Sequence, residues 1–282
     1  MEIHVGSSAD AEVCLTEKEL SRHVLILSPT GMGKSMLNLW MALQMVLQGL
    51  GFAMIDPDGK TVRDLLALLR QFWDRIDPVL RRKIVFLKPG YHMTFSFDPF
   101  ETDFTGKKYE GWLDRSVKEV GRILARKQGL ADYKEQPRRE RWLANTLYFI
   151  GTNVNGRHLG LHRALDVLNV GTPAWQRLFE KVAPHLPVEV VRDWKDLAWM
   201  SPRDRTFYTE STVNWFRQFL SPLVREMFSG KAPTLNFREC IRRKFIVLAD
   251  LSETEEFSKE QGEAIGGLIV HCLMDAQMTE QV

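Results

Sequence analysis

The chain has 282 residues, enough for one large domain or two modest ones around a substantial core. Its 44% apolar and 26% charged content are those of an ordinary globular protein. The formal charge of +2 excludes a globally basic surface, so nucleic-acid contact would have to come from a local patch. Cys14, Cys240 and Cys272 are odd in number, widely separated and without a C-x-x-C pair, which argues against a disulfide frame or a zinc site and for reduced thiols in a cytosolic protein. There is no signal peptide or membrane span: the most apolar stretch, residues 36–47, is too short to cross a bilayer and carries Asn38 and Gln44.

In chain order, residues 2–5 and 12–15 read as short strands joined by a Gly-Ser-Ser-Ala-Asp turn, expected to strap onto a main sheet. Residues 24–27 form an apolar run suited to a strand buried on both faces. A glycine loop follows, then an amphipathic helix to about residue 48. Gly31 and Gly33 permit backbone conformations that turn consecutive N–H groups around an anion. Lys34 supplies a point charge for the outer phosphates and Ser35 a hydroxyl for Mg²⁺, with the helix dipole aimed at the same place. The pattern G-x-x-x-x-G-K-[ST] is met except that Ser28 stands where its first glycine would be. The nucleotide-contacting stretch is therefore Ser28, Pro29, Thr30, Gly31, Met32, Gly33, Lys34, Ser35 and Met36. The competing reading is an ordinary glycine-rich turn between strand and helix.

A second strand, 52–55, ends in Asp56-Pro57-Asp58-Gly59, a turn in which proline fixes φ and glycine relieves the corner. Thr61 is placed to cap a helix running to about residue 72, with Val62, Leu65, Leu66 and Leu69 on one face. A strand at 83–87 and another segment at 93–100 follow. Strands alternating with helices imply parallel pairing, and ligands of such sheets sit beyond the strands' carboxyl ends. Asp56 stands at such an end and serves either as a site residue or as a cap for the next turn.

From about residue 109 the pattern becomes helical, at 109–127, 137–150, 161–170, 173–183, 187–200 and 203–228, the last broken at Pro222. Thr172-Pro173 and Ser201-Pro202 are helix openings, a cap residue followed by proline in the first turn. The eight tryptophans are scattered through these patterns, as expected of helix-packing anchors. The strand pattern returns at 244–249, KFIVLA, ending in Asp250, and a helix at 260–278 follows with Ile265, Leu268, Ile269, Cys272 and Leu273 on its buried side. Asp250 is the best candidate on residues alone for the carboxylate that steadies Mg²⁺, with Glu253 reaching back to water. Asp250 could equally end another core strand.

Taken together, RHVLILSPTGMGKS, FAMIDPDGK, IVFLKPG with FSFDPF, a helical insert, and KFIVLADLS with IGGLIVHCLM resemble the HerA/FtsK superfamily, closest to its HerA-like and TraG-like conjugation or type IV secretion ATPases. The resemblance implies an α/β fold: a RecA-like P-loop NTPase core with a mainly parallel sheet, carrying an inserted all-α subdomain. On that plan residues 1–22 are an N-terminal strand segment, 23–108 the first part of the core, 109–235 the insert and 236–282 the return to an incomplete core. Such proteins are ring-forming motors, often hexamers, that use ATP and Mg²⁺ to move DNA or to pass substrates to a secretion channel. By similarity Gly31, Gly33, Lys34 and Ser35 hold phosphate and Mg²⁺. The departures are Asp58 and Lys60, whose charges are exchanged relative to the family, and Asp98-Pro99 where relatives carry Asn-Pro. In the family a strand like KFIVLADLS precedes the true acidic strand, which would place the Asp-Glu pair past Val282 and make the chain a truncated form that binds ATP better than it hydrolyses it.

Basic groups at 81–83, 107–108, 138–141 and 242–244 each read as a DNA-facing patch or as a solvated helix or strand end. His158, His162 and His185 lack metal-ligand spacing. Two rival functions accompany the motor: a non-hydrolysing ATP-binding adaptor whose helical part docks on a partner, and a small-molecule kinase with a helical lid.

Overall fold

The computed structural model describes residues 2–7, 11–20, 24, 26, 27, 29, 31–90, 95–125 and 137–280. These form two compact units. The first comprises the described residues of 1–88, 236–252 and 279–282, and the second those of 89–235 and 253–278. The protein is α/β, with a three-stranded parallel sheet confined to the first unit.

That sheet is built from β3 (Phe52–Asp56), β4 (Ile84–Leu87) and β5 (Ile246–Asp250) in the order β3-β5-β4. All five residues of β5 are buried, which explains why its sequence is an unbroken apolar run closed by one aspartate. Against it pack α2 (Lys34–Leu47) and α3 (Lys60–Gln71), whose Leu39, Ala42, Leu43 and Val46, and Val62, Leu65 and Leu69, form one core with Ile246 and Leu248. Full burial of each leucine, valine or isoleucine among these is worth about 1.5–3 kcal/mol. Helix α2 stops in a Schellman turn: Gly49, at φ +70°, donates to Val46 O, and Leu50 donates to Met45 O. The connector 48–51 then leads straight into β3, so α2 runs back along the sheet and starts at the strands' carboxyl edge.

β1 (Glu2–Ser7) and β2 (Glu12–Thr16) pair with each other as an antiparallel hairpin followed by the short α1 (Glu17–Leu20). Among the described residues the expected strap onto the main sheet is not formed. Gln44 of α2 instead completes the β1 edge: its Oε1 accepts from His4 N–H at 2.9 Å and its Nε2 donates to His4 O at 2.8 Å. The unit is completed by α4 (Pro78–Arg81), ahead of β4, and α12 (Phe237–Arg242), ahead of β5.

The second unit is helical: α5 (Gly106–Ala125), α6 (Pro137–Gly151), α7 (Ala164–Leu168), α8 (Pro173–Val182), α9 (Val188–Trp199), α10 (Pro202–Phe219), α11 (Pro222–Met227) and α13 (Lys259–Glu280, through Met278). The starts of α8, α10 and α11 share one device: Thr172, Ser201 or Ser221 accepts a backbone N–H of the first turn and proline follows. Trp194 is buried at the centre of a ring cluster with Trp142, Phe149 and Trp175, at centroid distances of 5.1, 5.6 and 6.2 Å. The apolar face of α13 expected to rejoin the sheet unit belongs to this helical unit.

Candidate functional site

Gly31 and Gly33 adopt φ of +84° and +87°, and Gly33 is the N-cap of α2. A turn closes behind them, with Met32 N–H donating to Pro29 O at 3.4 Å, and the first helical bond runs from Leu37 N–H to Gly33 O at 2.9 Å. Lys34 and Ser35 thus occupy the first helical positions, where backbone N–H groups precede the intrahelical ladder. Neither a side-chain cap nor an acidic first-turn residue neutralises this helix end. Lys34 Nζ donates back to Pro29 O at 3.3 Å, folding its charge over the loop. Apart from the adjoining residues, no described heavy atom lies within 4 Å of the place a Cβ would take at Gly31 or Gly33, so the loop is uncovered on that side. Met32 and Met36 flank it, 72% and 66% exposed. Ser28 and Thr30, expected to contact nucleotide, lie outside the described residues.

The strand expected at 24–27 is absent among the described residues there. Val24, Ile26 and Leu27 are outside regular secondary structure, and Val24 and Leu27 are 46% and 80% exposed. The sheet holds β3, β5 and β4 alone, and none of the described residues 24, 26 and 27 pairs with them.

Asp56 and Asp250 both end strands at the carboxyl edge where α2 starts. The Asp56 carboxylate accepts N–H bonds from Asp58 at 3.1 Å, Thr61 at 2.7 Å and Val62 at 3.2 Å, which makes it the cap of α3. Thr61, expected to supply that cap, lies inside the helix and receives it, because Gly59 is the N-cap and has no side chain to offer.

Asp250 is 1% exposed at its side chain. Its Oδ2 receives Lys88 Nζ and Arg63 Nη1, each at 2.9 Å. Its Oδ1 receives Ser252 N–H at 3.1 Å and Ser252 Oγ–H at 2.6 Å. Burial alone would push this carboxyl up, but the bonds from Ser252 and Lys88 outweigh it and hold the group below the usual carboxylate range. Lys88 Nζ and Arg63 Nη1 also bond Ser252 Oγ at 3.1 Å, and Arg63 Nη2 reaches Asp58 O at 3.3 Å. Both carboxylate oxygens are engaged inside this network, which leaves no lone pair poised for Mg²⁺. Glu253 is exposed and belongs to the other unit.

Arg63, Lys88 and Ser252 are members of this edge that sequence reasoning left unassigned. Two of them left a local signal, Lys88 directly after an apolar strand and Ser252 two places past the strand-ending aspartate, whereas Arg63 is an ordinary basic residue in the first turn of α3. Among the described residues no cluster of three or more His, Cys, Asp or Glu side chains could hold a metal, and no helix is long and apolar enough to cross a membrane. In the helical unit a cleft of about 920 Å³ is lined by Tyr109, Glu110, Asp114, Tyr148, His185 and Glu189. Its tyrosines are committed within the fold: Tyr148 donates to Asp114, and Tyr109 donates to Gly151 O and accepts from Asn153 N–H.

The first unit thus offers two different chemistries at one sheet edge: an open, cationic backbone cradle at the start of α2, and a closed ion-pair network around Asp250. Compared with known proteins, the chain matches no family model, no curated protein and no solved structure.

Proposed function

We propose that the chain binds the polyphosphate of ATP, as its Mg²⁺ complex, at the glycine loop, and serves as the nucleotide-binding part of a RecA-like, HerA/TraG-like ring motor that moves DNA or feeds a secretion channel. The observation that carries this reading is the pair of left-handed glycines with open space beside them, set directly before Lys34 and Ser35 at an uncapped helix start. Gly31 and Gly33 would let the backbone close on phosphate oxygens, Lys34 would swing from Pro29 O to the outer phosphates, and Ser35 would offer its hydroxyl to Mg²⁺. Magnesium, when bound, neutralises phosphate charge and polarises the terminal phosphoryl group.

One observation favours the second reading, an ATP-binding adaptor that does not turn over. Hydrolysis needs a carboxylate free to steady Mg²⁺ or orient water, and Asp250 is tied to Lys88, Arg63 and Ser252. Equilibrium binding of a fluorescent ATP analogue and phosphate release, measured on the same preparations, test both. Binding that Lys34→Ala weakens at least tenfold supports the nucleotide site, and turnover beside it selects the motor over the adaptor. Wild-type protein that ignores Mg·ATP, or binds it equally well after Lys34→Ala, rules the site out.

A further inference from the structure

Strands β4 and β5 lie side by side and parallel, with Ile84 opposite Ile246 and Ile246 N–H donating to Lys83 O at 2.9 Å. That pairing brings to the amino edge of the sheet two basic triplets from distant parts of the sequence. Arg81-Arg82-Lys83 leads into β4 and Arg242-Arg243-Lys244 leads into β5. Arg82, Arg242, Arg243 and Lys244 are exposed, and Arg81 and Lys83 are half-buried.

Charge is concentrated here beyond what the chain's total suggests. Segments 70–83 and 237–244 hold nine cations and three carboxylates, while the whole chain is only +2, so the rest of the molecule is net acidic. Two of the three carboxylates are already employed: Asp77 caps α4 through Val79 N–H at 2.7 Å, and Glu239 pairs with Arg243 at 2.9 Å. The Nε groups of Arg81 and Arg82 donate to Ile76 O and Pro78 O, which orients the guanidinium planes without cancelling their charge. Basic residues in last helical turns complement the helix dipole, and this accounts for Arg70, Arg81 and Arg242. It does not account for Arg82, Lys83, Arg238, Arg243 and Lys244. Among them stands Trp73, 41% exposed, with the Arg81 guanidinium 5.4 Å from its ring centroid. An exposed indole set among cations is a surface for stacking a base beside neutralised phosphates.

We propose that the amino edge of this sheet binds single-stranded nucleic acid, with the two triplets on the phosphate backbone and Trp73 stacked on a base. The surface lies at the other end of the strands from the glycine loop, so it works whether or not that loop holds nucleotide. The test is fluorescence anisotropy with labelled single-stranded DNA, single-stranded RNA and duplex DNA between 50 and 200 mM salt, concentrations at which phosphate contacts are about fully expressed and then strongly weakened. Wild-type protein is expected to bind single strands with log Kd rising linearly with log salt, about 0.7 per phosphate contacted. Arg82→Glu combined with Arg242→Glu, both at exposed positions, should weaken binding at least 100-fold and flatten the salt slope, with the thermal melt reporting that the fold is intact. Trp73→Ala should cost about tenfold on single strands, the worth of one stacked base, and leave the salt slope unchanged. Lys34→Ala serves as the control, since binding that persists in it separates this surface from the nucleotide site. Absence of wild-type binding, indifference to the charge reversals, tighter binding of duplex, or heparin binding with the same affinity and slope would each overturn the assignment.

Discussion

Asp56 and Asp250 are register partners at the carboxyl ends of adjacent parallel strands, yet one binds backbone N–H groups and the other two side-chain cations. The division follows from what each strand leads into. β3 turns at once into α3, whose first N–H groups need an acceptor. β5 is central and brings Asp250 between α3, which carries Arg63, and the end of β4, which carries Lys88. Two in-register carboxylates would repel if both were left bare in the interior, and each is instead given its own positive partner.

Asp250→Ala should therefore act first on stability. It removes the partner of Lys88, 20% exposed, and of Arg63, 52% exposed, so the uncompensated charge is partly relieved by water. A loss of about 2–4 kcal/mol is expected, below that for a fully buried pair, read from the urea midpoint. The pH dependence has a defined sign. The folded carboxyl titrates below its unfolded value of about 3.9, so its contribution is present above about pH 4 and fades as pH falls through the lower folded value. Wild type and Asp250→Ala should converge in acid; a gap that widens there would contradict the ion-pair account.

Gly31 and Gly59 share a left-handed backbone but not a neighbourhood. A Cβ at Gly59 would stand 2.0 Å from Asp250 Oδ1, in addition to φ of +70°. A Cβ at Gly31 meets open space, at φ of +84°. Gly59→Ala should cost about 3 kcal/mol or more, because backbone strain of about 1–2 kcal/mol is joined by displacement of the buried aspartate. Gly31→Ala should cost about 1 kcal/mol and show its effect in Mg·ATP affinity instead. Urea titration of both variants, with nucleotide binding on Gly31→Ala, checks the pair; equal destabilisation would place Gly31 in a packed environment it does not have here.

The parts of this fold that were legible in the sequence are those governed by local rules. β3, β4 and β5 stand within a residue or two of the apolar runs at 52–55, 83–87 and 244–249, and α8 and α10 begin where Thr172-Pro173 and Ser201-Pro202 say they should. What failed were statements about partners. The run at 24–27 has the composition of a buried strand, but composition alone supplies no pairing partner, and the described residues there pair with none of β3, β4 and β5. The apolar stripe of Ile265, Leu268 and Ile269 announced a buried face without saying that it belongs with the helical unit. The hold of Arg63 and Lys88 on Asp250 joins residues far apart in sequence, and no spacing rule reaches that distance.

Trp194 should be the most costly single truncation in the helical unit. It is fully buried and packs edge-on against Trp142 and Phe149, with Trp175 beside it. Trp194→Ala removes an aromatic side chain from a site whose other walls are rigid rings and cannot collapse into the gap, so a loss of about 3–5 kcal/mol is expected. Trp194→Phe keeps most of the volume and should lose about half as much. Denaturant unfolding of both variants tests this; if Ala and Phe cost the same, the ring cluster is not what stabilises α6, α8 and α9.

His158 gives the helical unit a pH response opposite in sign to that of Asp250. Its Nε2 lies 2.5 Å from Asp98 Oδ2, with side chains 18% and 28% exposed. Burial alone would lower the imidazole's pKa, but the bond to Asp98, with added attraction from Asp98 and Glu101, overrides it and raises the value above 6.5. A raised folded value means that the charged imidazole stabilises the fold fully below about pH 6.5, and that this contribution is lost as pH climbs through the folded pKa. His158→Gln should be less stable than wild type by about 1 kcal/mol at pH 5.5, a modest figure because the pair is partly wetted. The difference should shrink steadily as pH is raised from 6.5 into the alkaline range. Urea midpoints of both proteins across that range decide it: a gap that stays constant would mean that the ring contributes packing alone, and a gap that grows with pH would mean that the neutral imidazole is the form Asp98 was built to hold.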